Sequence, residues 1–119
     1  TNDAASAVTR LIDMGVEPFL LSSSLLGVLA QRLVRKYCGT CHGKGCEACG
    51  HTGYAGRTGV FELLVTDDAI RAQIHAQASE AEIRTAALAA GMTLMREDGE
   101  RLIAAGITSR EEVLRVTRD

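Results

Sequence analysis

The sequence is poor in aromatic side chains: its 119 residues include two Phe, two Tyr and no Trp. Its core must therefore be aliphatic, and the stacking of bases on aromatic rings, which many single-strand-binding proteins use, is disfavoured. The formal net charge is −2 at pH 7, whereas a general nucleic-acid binder needs a basic surface. We therefore expect no nucleic-acid partner.

Long apolar runs and catalytic signatures are also missing. The most apolar stretch, residues 19–30, is too short to cross a bilayer and contains three serines. The sequence has no G-x4-G-K-[ST] phosphate loop and no H-E-x-x-H motif. Its carboxylates fall mostly on predicted helix faces, where solvated side chains are the rule. Taken on its own residues, the chain is predicted to be a structural or interaction domain.

All the cysteines fall in one short segment. They form two C-x2-C pairs, namely Cys38, Cys41, Cys46 and Cys49. A C-x2-C pair can hold one metal ion from a tight turn, and two pairs complete a tetrahedron. Gly43 and Gly45, between the pairs, allow the backbone to reverse. We predict a closed, structural zinc site with four sulfur ligands and no open position for hydrolytic chemistry.

Other uses of the four cysteines remain open at this point. Two disulfides are possible, but no signal peptide is visible and no other cysteine exists. A redox pair of the thioredoxin type usually has a single C-x2-C. An iron–sulfur cluster takes the same four thiolates as zinc. His42 and His51 lie beside the motif and are predicted to be turn or surface residues, because four thiolates already saturate a tetrahedral ion.

The charge is distributed unevenly along the chain. Residues 31–60 carry five Lys or Arg residues and one acid, whereas residues 61–119 carry eleven acids and seven arginines. The basic excess around the cysteines either balances a zinc–tetrathiolate unit, which is formally −2, or binds a partner. The sequence alone favours neither interpretation.

The first half of the chain is predicted to contain two helices and a β-hairpin. The first helix runs over residues 3–14, with Thr1 or Asn2 as its cap, and Gly15 ends it. The second begins at Pro18 and runs to about Ala30; because apolar residues nearly encircle it, we expect it to be buried. Strands over residues 31–37 and 57–65 would pair antiparallel, with the cysteine motif at the tip of the hairpin.

The second half is predicted to be helical. We predict four helices there, over residues 67–76, from residue 80 to Gly91, over residues 95–105 and from residue 109 to about 117. Thr66 is predicted to cap the first of them, and capping boxes beginning at Ser79 and at Thr108 open the second and the last. The fold class is therefore mostly α with a β-hairpin.

The sequence resembles the C-terminal part of the type II secretion ATPases, the "E" proteins of the general secretory pathway, and is similar to the type IV pilus assembly ATPases. The segments that carry the resemblance are residues 1–3, 8–15, 17–21, 29–35, 53–54, 56–64 and 106–113. The tetracysteine element occupies the family's position, although many members have a longer loop between the two pairs. Thr1 and Asn2 correspond to the end of the family's histidine motif.

The resemblance implies that the chain is a fragment of an ATPase. The RecA-like P-loop domain with its Walker motifs would precede it, so ATP and magnesium would bind in the parent protein and the fragment alone would be inactive. Residues 1–37 would be the end of the RecA-like core, residues 38–56 the zinc hairpin, residues 57–65 the return strand and residues 66–119 a C-terminal helical subdomain or bundle.

The resemblance also implies partners and a location. The parent would be a hexamer in the cytoplasm, peripheral to the bacterial inner membrane, in contact with the inner-membrane platform and cytoplasmic assembly proteins of the secretion system. Residues 69–75 align with an exposed motif of the pilus retraction ATPases, which makes Ile70 and Arg71 candidate interaction residues.

A second resemblance belongs to a different functional class. Residues 38–45 fit the C-x-x-C-x-G-x-G repeat of the Hsp40 cysteine-rich region, and residues 46–53 fit it less well. The alternative is therefore a zinc-stabilised chaperone-type or other interaction module with no ATPase parent. That region uses four repeats and two ions, and the resemblance leaves the predicted helices unexplained.

Overall fold

The computed structural model describes residues 3–117 of the chain. Within them the order of elements is α1 (Ala4–Asp13), α2 (Pro18–Ser24), β1 (Gly27–Tyr37), a 3-10 turn (Glu47–Cys49), β2 (Tyr54–Val65), α3 (Asp68–His75), α4 (Glu80–Ala89), α5 (Met95–Ala104) and α6 (Arg110–Thr117). The prediction of a mostly α chain with one β-hairpin is confirmed. None of the helices in the described part of the chain is long and apolar enough to cross a lipid bilayer.

The two strands form an antiparallel ribbon, as predicted. They are neighbours in a two-stranded sheet. At the open end the N–H of Thr66 donates to the carbonyl of Leu26 at 3.0 Å, and at the tip the N–H of Cys38 donates to the carbonyl of Gly53 at 2.9 Å. The cysteine motif therefore lies in the loop that joins the strands.

The prediction of a buried helix from Pro18 to Ala30 is wrong. Helix α2 ends at Ser24, and β1 begins at Gly27. The hydroxyls of Ser22 and Ser23 both donate to the carbonyl of Phe19, and such bonds compete with the helical ladder. The expected burial is also wrong, because Phe19 is 61% exposed. Apolar runs of this length fit a helix or a strand, and pairing with β2 selected the strand.

Two of the predicted helix caps are displaced by one residue. Asp67 caps α3 instead of Thr66, because its carboxylate accepts the N–H of Ile70 at 2.9 Å while the N–H of Thr66 still pairs within the ribbon. Ser109 accepts the N–H of Glu112 at 3.2 Å at the start of α6, so the last capping box does not begin at Thr108.

Of the other caps, one was predicted from the sequence and one was not. The box that Ser79 forms with Glu82 is confirmed. Asp3 caps α1, since its carboxylate accepts the N–H of Ser6 at 2.8 Å, and the caps predicted at Thr1 and Asn2 lie outside the described residues.

The chain divides into two compact units, and neither is continuous in sequence. The described residues of the first are 3–30 and 62–94, and those of the second are 31–61 and 95–117. The predicted helical segment 66–119 therefore contributes α3 and α4 to one unit and α5 and α6 to the other. The four-part division made from the sequence remains a prediction.

The first unit has an aliphatic core. In it α2 packs on α3, and α4 packs on both α1 and α3. Its buried members are Ala4, Ala5, Val8, Leu21, Leu64, Ile70, Ile74, Ile83 and Ala87. One carboxylate is buried beside this core: Glu62 on β2 accepts the N–H of Ala4, in the first turn of α1, at 2.9 Å. A negative charge at a helix N-terminus is favourable, so this bond ties the strand to the helix.

In the second unit α5 packs on α6. Residues in and near these helices form hydrogen bonds with the backbone on both outer edges of the ribbon. The N–H of Arg35 donates to the Glu112 carboxylate at 2.8 Å, and the N–H of Tyr37 donates to the carbonyl of Ile107 at 2.8 Å. On the other strand the N–H of Phe61 donates to Asp98 at 2.9 Å. These bonds satisfy backbone groups that a two-stranded ribbon leaves without strand partners.

Glu112 is the charged centre of this arrangement. It is only 3% exposed and accepts both the guanidinium of Arg35, at 3.0 and 3.1 Å, and that of Arg115. Hydrogen bonds from Arg35 lower the pKa of Glu112, burial raises it, and hydrogen bonds from Arg115 lower it further. The resulting pKa is about 2, below the ordinary 4.5. The carboxylate is therefore charged at neutral pH and stabilises the second unit.

We predict that Glu112→Gln destabilises the second unit by on the order of 2 kcal/mol at pH 7. Because the folded pKa is lowered, the contribution of Glu112 is complete above about pH 5 and is lost as the pH falls towards 2. The free energy of unfolding in urea should therefore differ between wild type and variant at pH 7 and converge near pH 2. Both tyrosines, Tyr37 and Tyr54, lie in this unit, so tyrosine fluorescence reports its unfolding.

The matched control is Glu111→Gln, at the exposed residue next to Glu112. It should leave the free energy of unfolding within about 0.5 kcal/mol of wild type. Equal stability of Glu112→Gln and wild type at pH 7 would contradict the role of the buried carboxylate.

Candidate metal centre

The four cysteine sulfur atoms converge at the tip of the ribbon. All four Sγ atoms lie within 4.8 Å of one another. The distances Cys38–Cys46, Cys41–Cys49 and Cys46–Cys49 are each 3.8 Å. A tetrahedron of sulfur atoms about 2.3 Å from a central ion has an edge of about 3.8 Å. The four cysteines could therefore hold one metal ion, and none of them is in a disulfide.

The backbone of the loop brings the sulfurs together through two tight turns. The N–H of His42 donates to the carbonyl of Cys38 at 2.8 Å, and that of His51 donates to the carbonyl of Cys46 at 2.7 Å. Gly43, with φ of +94°, meets Gly53 so closely that a Cβ on Gly53 would lie 2.6 Å from the Gly43 carbonyl oxygen. Only glycine fits this contact, which allows the two halves of the loop to lie against each other.

Backbone N–H groups donate hydrogen bonds to the sulfurs of Cys41 and Cys49. Gly45 donates to Cys41 Sγ at 3.1 Å, while Cys46 and Gly53 donate to Cys49 Sγ at 3.3 and 3.2 Å. Burial raises the pKa of Cys49, but these two N–H donors together with the Cys41 and Cys46 side chains lower that pKa to about 6. Such donors favour the thiolate, which is the form that binds a metal.

The thiol of Cys46 behaves in the opposite way. The Cys49 N–H lowers its pKa, but burial and the neighbouring sulfurs of Cys38 and Cys41 raise it to about 11. Four adjacent thiolates repel one another, so the last of them ionises reluctantly unless a cation lies between them. The donor set and its spacing therefore suit a soft cation of tetrahedral preference.

The two histidines near the motif lie in turns and are exposed, as predicted. His42 and His51 have positive φ angles of 53° and 64°. Among the described residues, the group that could hold a metal ion consists of the four cysteines.

The two candidate interaction residues on α3 differ in exposure. Ile70 is fully buried in the core of the first unit. Arg71 is partly exposed, and its guanidinium pairs with Asp68 at 3.2 Å. The proposed interaction remains a prediction, and only Arg71 presents a side chain at the surface of the first unit.

Sequence reasoning missed the side chains that pack around the base of the loop. The rings of Tyr37 and Tyr54 stack with their centroids 5.6 Å apart and their planes 9° from parallel. The guanidinium carbon of Arg35 lies 4.4 Å from the centroid of the Tyr54 ring. The available signal was that two of the four aromatic residues flank the cysteine motif.

Comparison with known proteins gives a consistent set of relatives. The profile of the family "Type II/IV secretion system protein" matches residues 1–115. The type II secretion system protein HxcR of Pseudomonas aeruginosa is 62% identical over all of this chain and 27% of its own length. The type II secretion system ATPase E of Vibrio cholerae is 45% identical over all of the chain and 28% of its own length.

The solved structures include one with a similar fold. The crystal structure of the pilus retraction motor PilT with bound ADP matches all of this chain and 31% of that chain, with a TM-score of 0.71 and 24% identity. At this identity the match supports the fold alone. The present chain spans less than a third of the length of each of these proteins.

We predict that the reduced chain binds about one divalent metal ion per molecule and that Cys41→Ser combined with Cys49→Ser reduces this to nearly none, because two sulfurs cannot complete the tetrahedron. Elemental analysis of protein purified without chelator measures the ratio. Thr40→Ser, a neutral change at an exposed position of the same loop, should keep it. A wild-type chain without metal, or a double variant with as much metal as wild type, would contradict the assignment.

Proposed function

The chain belongs to the Type II/IV secretion system protein family, and we propose that it is the C-terminal part of a hexameric ATPase that powers type II protein secretion by assembling the pseudopilus. The observation that carries the proposal is alignment over the whole chain with type II secretion proteins, at 62% and 45% identity. A match confined to the cysteine loop would not carry it, since short motifs recur in unrelated proteins.

The catalytic machinery of the proposed ATPase lies outside these 119 residues. The chain has no phosphate loop, and its relatives are more than three times as long. ATP, magnesium and all of the RecA-like core except its end, which we assign to residues 1–37, belong to the rest of the parent protein, and the chain alone is inactive. The parent lies in the cytoplasm at the inner membrane, where the ATPase acts on the platform and assembly proteins.

The exposed face of the ribbon in the first unit supports a larger parent. Side chains of alternate residues point to opposite faces, and Glu62 and Leu64 are buried on one of them. On the other face Leu29, Leu63 and Val65 are 61%, 53% and 61% exposed. Strands that are apolar on both faces are typical of a sheet covered on both sides. In the proposed parent, the ATPase core covers this face.

Zinc is the ion that we propose for the four cysteines. Zinc is the common occupant of closed four-sulfur sites, and the 3.8 Å sulfur spacing suits its bond length. With four protein ligands the ion has no open position, so it stiffens the ribbon tip and does no chemistry. An iron site with the same ligands would differ in elemental composition and in visible absorption.

In the proposed secretion ATPase the stiffened tip is a contact element. ATP-driven motion moves a partner only through a rigid connection, and a loop held by four metal–sulfur bonds is rigid. We assign the tip to contact with the inner-membrane platform, and we keep Arg71 as a candidate interaction residue. The Hsp40-type alternative is not favoured, because the relatives align with the helices as well as with the loop.

We predict that the longer protein carrying Cys38→Ser and Cys41→Ser accumulates and hydrolyses ATP but supports less than a tenth of wild-type secretion, because its tip has lost the metal. The amount of exported substrate in the medium measures secretion. Thr40→Ser in the same loop should secrete normally. Full secretion by the double variant would overturn the role of the metal, and a parent without ATPase activity would overturn the family function.

We also predict that the isolated chain binds a hydrophobic fluorescent dye through the open ribbon face. Leu29→Ser with Leu63→Ser should reduce the dye signal severalfold, because both side chains leave that face. Leu88→Ser is the control, since Leu88 is an exposed leucine on α4. An equal loss of signal in the control would show that the dye does not report the ribbon face.

A further inference from the structure

Tyr37 lies between the four-cysteine loop and the segment that leads into α6. Tyr37 directly precedes Cys38, and its backbone N–H donates to the carbonyl of Ile107, just before α6, at 2.8 Å. Its ring lies against the loop itself: a Cβ on Gly43 would be 2.7 and 2.8 Å from two carbons of that ring. The same residue therefore contacts both the metal loop and the segment that leads into α6.

The neighbouring aromatic ring contacts the start of α6. Tyr54 stacks on Tyr37, and its hydroxyl hydrogen-bonds the Ser109 hydroxyl at 2.7 Å. Ser109 Oγ accepts the N–H of Glu112 and so caps α6. The ring of Tyr54 also lies under the guanidinium of Arg35, which holds the Glu112 carboxylate. The path from Gly43 to the cap of α6 is thus a continuous series of contacts within the second unit.

We infer that Tyr37 and Tyr54 couple metal occupancy of the four-cysteine loop to the docking of α6 on the ribbon. This inference rests on the metal site proposed above. The loop of residues 38–53 contains a single alanine besides the cysteines and no larger aliphatic side chain, so without an ion little holds it closed. When the loop opens, Gly43 leaves the ring of Tyr37, and the stack that supports the cap of α6 loses one side of its packing.

The coupling acts in both directions, because linkage between two binding events is reciprocal. A docked α6 holds Tyr37 and therefore Cys38 in the position that the ion requires. Tyr37 and Tyr54 are positioning residues, since their rings contact the loop and the helix cap while the sulfurs bind the ion. The ion pair of Arg35 with Glu112 remains when the metal leaves, so we expect α6 to loosen but not to detach.

Hydrogen exchange on the full 119-residue chain, with metal bound and after chelation under reducing conditions, tests the coupling. We expect the amides of α6 to exchange about tenfold faster after chelation, while those of α1, in the other unit, stay within twofold. In Tyr37→Leu the α6 amides should exchange fast with or without metal, and Tyr37→Phe should restore the wild-type response because the Tyr37 hydroxyl has no part in the stack.

Cobalt titration followed by visible absorption gives a second readout. Tyr37→Leu should weaken cobalt binding by about tenfold, and Tyr37→Phe should bind as wild type does. If Tyr37→Leu fails to fold, Tyr54→Phe still tests the inference: it keeps the ring but loses the Ser109 bond, so the α6 amides should respond less to chelation than in the wild type, and cobalt binding should weaken severalfold. A response to chelation of wild-type size in Tyr54→Phe would refute the coupling.

The outcomes separate this inference from the metal proposal. A wild-type chain without metal after purification, and without the cobalt–thiolate spectrum, would refute the metal site itself. A wild-type chain that binds metal but shows the same α6 exchange before and after chelation would refute the coupling alone. If chelation changes the exchange of the α6 amides in Tyr37→Leu as much as in the wild type, the role assigned to Tyr37 is refuted.

Discussion

The convergence of four sulfur atoms is the interaction on which the tip of the ribbon depends. The joining loop is built from glycine, cysteine and polar residues and has no aliphatic core of its own. Several of its turns require residues with positive φ angles, most of them glycines. Backbone N–H groups donate to the sulfurs, and the sulfur spacings fit one ion. With an ion bound as proposed, coordination would take the place of hydrophobic burial and would explain how a glycine-rich segment keeps a defined structure.

The rest of the ribbon is stabilised differently in the two units. In the second unit backbone groups on the outer edges bond to Glu112, Ile107 and Asp98, so residues distant in sequence satisfy the edges of the ribbon. In the first unit one ribbon face covers an aliphatic core and the other leaves leucine and valine exposed. An isolated two-stranded ribbon is marginal in water, so both arrangements supply what strand pairing alone lacks.

Most of the features that the sequence predicts correctly are encoded by patterns of a few neighbouring residues. The C-x2-C spacing and the capping box at Ser79 are local patterns, and the structure confirms that the sulfurs converge and that the box forms. The helix from Pro18 to Ala30 failed because apolar runs fit both helix and strand, and contacts with β2 decided between them. The ion pair of Arg35 with Glu112 joins residues 77 positions apart, which no local pattern reveals.

The uneven charge along the sequence is consistent with the proposed metal site. A divalent ion with four thiolates carries a formal charge of −2, which offsets half of the basic excess of residues 31–60. Glu112 neutralises Arg35 from outside that segment. With an ion bound as proposed, the formal charge of this segment together with Glu112 would be close to neutral, which favours charge balance as the role of the basic residues. In the proposed secretion ATPase such a tip would recognise its partner by shape and hydrogen bonding more than by long-range attraction, so its stiffness would matter more than its charge.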